Sequence, residues 1–327
     1  MPHAFALIAD LVDLGGAGLE ALELDAAVPP ASAPGVVRVG VHRGGPRPKD
    51  GLETCDILLS AEPSAPRPWV GLDPALVDPA LSALREQVAR QPVAAAVAAQ
   101  VFRLTLAAPL VSALALESLA YSTLLASSGF KAWREAVPPR ERPSEPGPLV
   151  RLDEAGGVLH IRLDCPAARN AFNARLRDEL CEALAFAAAH PDAPPVELSG
   201  AGPAFSAGGD LDEFGRAGDP GLAHLVRTLR SPARLADALG ERLTARLHGA
   251  CVGAGIEVPA AAHRVIAAPG AVFRLPEVSM GLIPGAGGTA TIARRIGRRR
   301  ACYMALSGVA LEVGTALAWG LVDEIAA

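Results

Sequence analysis

Apolar and polar residues change their spacing three times along the 327-residue chain, and each change predicts a different kind of structure. Over residues 1–70, short apolar runs such as Ala31–Val41 and Cys55–Ser60 are broken by Pro and Gly, which predicts the strands and turns of a small irregular unit. Residues 74–136 are rich in Ala, Leu, Arg and Glu, and Pro74–Gln91, Val93–Leu110 and Leu114–Ala136 predict helices with Pro near their starts. Residues 138–149 contain five prolines and four charged residues, a composition that resists helix and strand alike and reads as a linker. From Val150 onward, Val158–Leu163 alternates with period two, Asn173–Ala189 reads as a helix, and Val196–Ser199 and Leu243–Leu247 read as short apolar strands. The predicted fold class is therefore α/β, divided into a small mixed α/β unit (1–72), a helical segment (73–136), a Pro-rich linker (137–149) and an α/β core (150–327).

Composition narrows the possible roles. Hydrophobic residues make up 50% and charged residues 20%, which is the balance of a globular chain. A length of 327 residues exceeds what one hydrophobic core usually supports. Thirty basic against thirty-five acidic residues give a net charge of −5, so no electrostatic footprint suggests nucleic acid or an anionic membrane surface as a partner. The five cysteines form no CxxC pair and the seven histidines no metal spacing, so neither a disulfide framework nor a metal site is expected. Asp10 and Asp13 interrupt Met1–Gly16 where a secretory signal would need a basic start and an apolar run. Gln100, Arg103 and Glu117 likewise interrupt the apolar stretch Pro92–Tyr121 before about 20 residues accumulate. A cytoplasmic location is the expectation. Arg294, Arg295, Arg298, Arg299 and Arg300 read as a solvated face around a helix junction.

Four local patterns could carry chemistry. Gly202–Leu211 (GPAFSAGGDL) is a Gly-rich loop after an apolar strand and before a helix expected to start near Asp210; His248–Glu257 (HGACVGAGIE) repeats that arrangement. Small residues let the backbone approach a ligand closely, and N–H groups at a helix start favour developing negative charge, so two such loops could form an oxyanion hole. Glu257 and Glu277 lie within apolar runs, where a carboxylate is costly unless paired, protonated or functional. Together they could hold a water and move protons to and from an activated carbon. The fourth pattern, Gly281–Thr289 (GLIPGAGGT), is a further turn feeding a helix. No GxxxxGK[ST], strand-placed GxGxxG or GxSxG pattern occurs, which weakens a nucleotide site or a triad hydrolase.

AFSAGGDL, HGACVGAGIE, FRLPEVSMGLIPGAGGT and ALAWGLVDEI, in this order and spacing, resemble the crotonase superfamily, also called the enoyl-CoA hydratase/isomerase family, over about residues 150–327. The resemblance implies a ββα spiral core. It implies that the N–H groups of Ala207 and Ala254 bind the thioester oxygen of an acyl-CoA, that Glu257 activates water for attack on the β-carbon, and that Glu277 exchanges a proton with the α-carbon. Ala168, Arg169, Gly208, Gly209 and Asp210 would lie along the CoA moiety. The implied reaction is hydration of a 2-enoyl-CoA, or the reverse dehydration, in fatty acid metabolism. No metal or redox cofactor is expected, since CoA is part of the substrate, and a homo-oligomer, trimer or hexamer, is implied.

Family members usually continue past the GLVDE strand with helices that close the site, whereas this chain stops at Ala327. Residues 84–139 resemble those helices, including the acidic Glu117 and an aromatic-basic ending, so the usual tail is expected here ahead of the core. Lys131 or Arg134 would then reach a CoA phosphate. Two competing readings stay open: another crotonase reaction (isomerisation, decarboxylation or thioester hydrolysis) on an unusual acyl thioester, or a non-catalytic acyl-CoA-binding subunit. Fold alone does not choose among them.

Overall fold

The computed structural model describes residues 18–24, 35–141 and 146–326. Met1–Gly16, the first part of the Ala31–Val41 run and the middle of the Pro-rich linker lie outside the described residues. The N-terminal part is more regular than its sequence suggests. Strands β1 (Leu19–Glu23), β2 (Val37–His42), β3 (Ile57–Ser60) and β4 (Val70–Gly71) form one parallel sheet in chain order. Every residue of β2 and β3 is buried. That requires cover on both faces, the usual condition of parallel strands.

Helices α1 (Val77–Arg90), α2 (Pro92–Thr105), α3 (Leu110–Leu125) and α4 (Ser128–Ala136) follow. α2 stops four residues short of Pro109, which cannot extend a helix from before it. The third helix expected from the sequence is two helices, because the Ser127 hydroxyl accepts the Phe130 N–H and opens a new first turn.

The core comprises β5 (Val150–Ala155), β6 (Val158–Leu163), α5 (Ala174–Ala189), β7 (Val196–Gly200), α6 (Pro220–Leu229), α7 (Pro232–Ala238), β8 (Leu243–Leu247), β9 (Ala250–Val252), α8 (Ala254–Glu257), β10 (Arg264–Ala267), β11 (Val272–Arg274), α9 (Gly288–Ile296), α10 (Arg298–Ser307), β12 (Leu311–Glu312), α11 (Val313–Trp319) and β13 (Glu324–Ile325). A six-stranded sheet runs β13-β10-β8-β7-β6-β5, parallel except for β5 on β6, and a smaller sheet runs β12-β11-β9. The helix expected at Asp210 is absent there. Asp210 instead accepts the Asp212 N–H in a tight turn, and the next helix starts only at Pro220, capped by Asp219.

One continuous apolar cluster joins all three parts, from Val39 in β2 through Phe102 in α2 to Phe273 in β11. Polar contacts fix how they meet. Arg103 of α2 makes a two-pronged bond to the buried Asp56, at 2.7 Å on each side, and the Arg38 N–H donates to the same carboxylate. The arginine cluster expected on a solvated face is spent on backbone carbonyls. Arg298 donates to Glu53, Arg299 to Leu52 and Cys55, and Arg295 to Ala260 and Ala262. Arg300, 4% exposed, donates to Trp69 and Ala65 and lies over the Trp319 ring. Arg298, Arg299 and Arg300 hold the parallel sheet against α10.

Arg300→Met keeps much of the buried length but strands two carbonyls. We expect a loss of about 2–4 kcal/mol, read as a lower denaturant midpoint at unchanged slope.

Candidate active site

A cavity of about 630 Å³ opens between the core and the helical segment, in the size range of small-molecule sites. Ala254, Glu257, Glu277 and Gly209 line it from the core, and Glu117 and Tyr121 line it from α3. The two glutamates singled out in the sequence converge. A methyl group added at Gly253 would stand 2.4 Å from Glu277 Oε1 and 3.7 Å from Glu257 Oε1, so both carboxyl groups reach the same point. Gly253 has φ 49°, which suits glycine, and its turn aims the following helix at the cavity.

Their surroundings differ. Glu257 is 2% exposed, and its Oε2 accepts the N–H groups of Ala286 at 2.7 Å and Gly288 at 2.9 Å. Burial pushes its pKa up to about 7, with those two donors opposing the rise. Glu277 Oε2 is buried without a partner. Burial, then the nearby Glu257, raises its pKa well above the ordinary carboxylate value. One carboxyl group is thus equipped to carry charge and the other to keep its proton.

Glu117 adds a third carboxylate that the residue-by-residue reading of the chain did not place in the site. Its Oε1 accepts the Gly287 N–H at 2.7 Å, and its Oε2 accepts the Thr289 N–H at 2.9 Å and the Thr289 hydroxyl at 2.7 Å. The loop from Gly285 to Thr289 therefore splits its N–H groups by alternation: 286 and 288 point to Glu257, 287 and 289 to Glu117. The Thr105 hydroxyl, at the end of α2, donates to the Thr289 carbonyl and anchors the loop from the other side. Burial, then the Glu257 charge, pushes the Glu117 pKa up to about 8. Gly285 has no room for a side chain, since a Cβ there would meet the Tyr121 ring at 2.5 Å.

The expected oxyanion pair needs one correction. The Ala207 N–H donates to the Arg169 carbonyl at 2.9 Å and so is already committed. Gly209, two residues on, lines the cavity, and its N–H makes no backbone hydrogen bond among the described residues; the same is true of Ala254. Asn170 holds the Gly-rich loop in that pose. Fully buried, it accepts the Cys165 N–H and donates to the carbonyls of Ala201, Ala204 and Phe205. Of the other expected contacts, Asp210 lines the cavity, whereas Ala168, Arg169 and Gly208 do not. Arg134 donates to the carbonyls of Val137 and Leu211, and Lys131 is exposed.

The sequence matches the enoyl-CoA hydratase/isomerase family over residues 153–327. Similar curated proteins include the mevalonyl-coenzyme A hydratase of Beauveria bassiana, 34% identical over 176 residues, and the 2,3-dehydroadipyl-CoA hydratase of Escherichia coli, 36% identical over 170. Each match takes in 51% of this chain, which spans only 63% and 65% of those relatives. Among solved structures, the enoyl-CoA hydratase of Thermoplasma volcanium superposes with a TM-score of 0.51 at 32% identity, covering 55% of this chain and 72% of that one.

The Glu277 environment has a measurable consequence for stability. The folded chain holds this proton more tightly than the unfolded chain, so its contribution is full below the ordinary carboxylate pKa and is lost as pH rises toward the raised value. Between about pH 5 and 8 we expect Glu277→Gln to lose less thermal stability than the unaltered chain, by about 2 °C or more in Tm, read by circular dichroism melts.

Proposed function

The chain belongs to the enoyl-CoA hydratase/isomerase family, and on that footing we propose that it adds water across the double bond of a 2-enoyl-CoA, or removes it in the reverse direction. The observation that carries this reading is the unequal pair of carboxyl groups at one point of the cavity, Glu257 bonded by two N–H groups and Glu277 with its Oε2 buried without a partner among the described residues. The thioester oxygen accepts the N–H groups of Gly209 and Ala254. Donors aimed at an oxygen that gains charge are worth about 3–4 kcal/mol each in a dry site. Glu257, as carboxylate, takes a proton from a water. The resulting hydroxide bonds to the β-carbon, the π electrons move into the thioester enolate, and Glu277 gives its proton to the α-carbon. The electron sink is the thioester itself, so the proposed chemistry calls on no metal or redox group.

We further infer that residues 77–136 serve here as the helices that close the site in relatives, placed ahead of the core in the chain. Glu117 and Tyr121 lining the cavity, and the contact of the loop Gly285–Thr289 with α2 and α3, support this. A second chemistry on the same thioester enolate, isomerisation, would need only one of the two carboxyl groups. The retention of both in the cavity favours hydration.

Loss of conjugated-thioester absorbance with a panel of short, long and aromatic 2-enoyl-CoAs tests the reaction. We expect turnover that falls about 100-fold or more in both Glu257→Gln and Glu277→Gln. Double-bond migration without hydration, or a steep loss in only one variant, would replace hydration with isomerisation. For the arrangement of the chain, cutting at a protease site engineered into residues 138–149 should leave two pieces that co-elute, with turnover within about 3-fold of the intact chain. Separation of the pieces in native buffer would overturn the idea that the helices are an integral wall of the site.

A further inference from the structure

Four arginines line the cavity, and the half-buried one among them that lacks a paired carboxylate is Arg227. Arg177 pairs with Asp178, Arg230 with Glu182, and Arg216 is exposed to solvent. Arg227, on α6, is half-buried, with no carboxylate within ion-pair distance among the described residues. It is nevertheless held firmly. Its Nε donates to the Ser118 hydroxyl at 3.0 Å, its Nη2 donates to the Ser118 carbonyl and the Ser122 hydroxyl, and the guanidinium lies 4.9 Å from the centre of the Tyr121 ring. Nη1 takes part in none of these bonds.

None of the acidic residues of the wall makes a direct ion pair with it among the described residues, and their oxygens are bonded elsewhere. Asp219 caps the first N–H groups of α6, Glu213 accepts the Ala174 N–H, and Asp210 closes its own turn. Glu117 and Glu257 face the loop Gly285–Thr289 from the other side. A partly desolvated guanidinium without a paired carboxylate is costly to keep, and a rigid one has already lost the freedom that binding would otherwise remove. Arg227 lines the same cavity as Glu257 and Glu277, and it is anchored on Ser118, the residue next to Glu117.

We propose that the cavity takes an acyl chain ending in a carboxylate, and that Arg227 receives that carboxylate through its unengaged guanidinium edge. This rests on the acyl-CoA reading above and adds the substrate class: a thioester of a dicarboxylic acid rather than of a simple fatty acid. Charge-assisted bonds to a planar carboxylate suit arginine particularly. Leu114, Leu222 and Val226 line the cavity around it and suit the methylenes between the two ends of the acyl group.

Binding of saturated thioesters tests this without requiring turnover. Calorimetry on the full chain would compare succinyl- with butyryl-CoA, glutaryl- with valeryl-CoA, adipoyl- with hexanoyl-CoA and suberoyl- with octanoyl-CoA. At the best-fitting length the dicarboxylic ester should bind about 10-fold tighter or more. Arg227→Gln should reduce that preference to under about 2-fold while leaving the neutral ester nearly unchanged; Arg227→Lys should retain part of it. Equal or weaker binding of every dicarboxylic ester by the unaltered chain overturns the proposal, whether or not the chain hydrates a 2-enoyl-CoA. So does a preference that survives in Arg227→Gln. Repeating the best pair as pantetheine thioesters separates a second source of anion: if Arg227→Gln weakens both CoA esters equally and the effect vanishes without the nucleotide, the arginine binds a CoA phosphate and the proposal fails. Hydration of neutral enoyl-CoAs is read separately and stands or falls by itself.

Discussion

The loop from Gly285 to Thr289 divides its N–H groups between two buried carboxylates, and the site is organised around that division. Glu257 comes from the core and Glu117 from a helix far earlier in the chain, and each receives two backbone donors from the same five residues. Burying a carboxylate without such partners costs several kcal/mol or forces it to take up a proton. Here the donors let one carboxylate stay available for charge. The third carboxyl, Glu277, receives none at Oε2 and is left in the opposite condition a short distance away. Unequal solvation of chemically identical groups is what separates a base from an acid in such a pocket.

The same logic joins the rest of the molecule. Backbone groups at the ends of loops and short strands need partners, and this chain supplies them with arginine. Arg298, Arg299 and Arg300 leave one side of α10 to satisfy carbonyls of the segment between β2 and β4, and Arg295 satisfies those following α8. A guanidinium has five donors in a fixed plane and reaches several carbonyls at once. The parallel sheet of residues 19–71 is therefore bound to the core both by apolar packing and by an array of donors aimed at its turns.

How far this could be read from the sequence depended on whether a residue's partner leaves a mark there. Glu257 and Glu277 were legible, because a charge inside an apolar run is conspicuous. The Gly-rich loops were legible as loops, but not which N–H faces inward. Successive peptide groups point different ways, and the Arg169 carbonyl that claims Ala207 lies almost forty residues back. The arginine cluster leaves no such mark for a related reason: its partners are carbonyl oxygens, which every residue has. Glu117 was visible only through family resemblance, and Arg227, one cation on an otherwise amphipathic helix, gave no signal until the cavity brought it against Ser118 and Tyr121. The four-stranded sheet is hidden in the sequence because its strands are brief and its turns rich in Pro and Gly.

The order of segments also bears on how the chain comes off the ribosome. Glu117 precedes its loop partners by 170 residues or more. During synthesis the helical wall of the cavity is complete before Glu257 and Glu277 have been made, and it must wait with Leu114 and Tyr121 uncovered until the core emerges to meet it. Long-range closure of this kind slows folding and leaves apolar surface available for misassembly in the interval. The parallel sheet that precedes the helices emerges early enough to give α1 and α2 a surface to pack on during that wait.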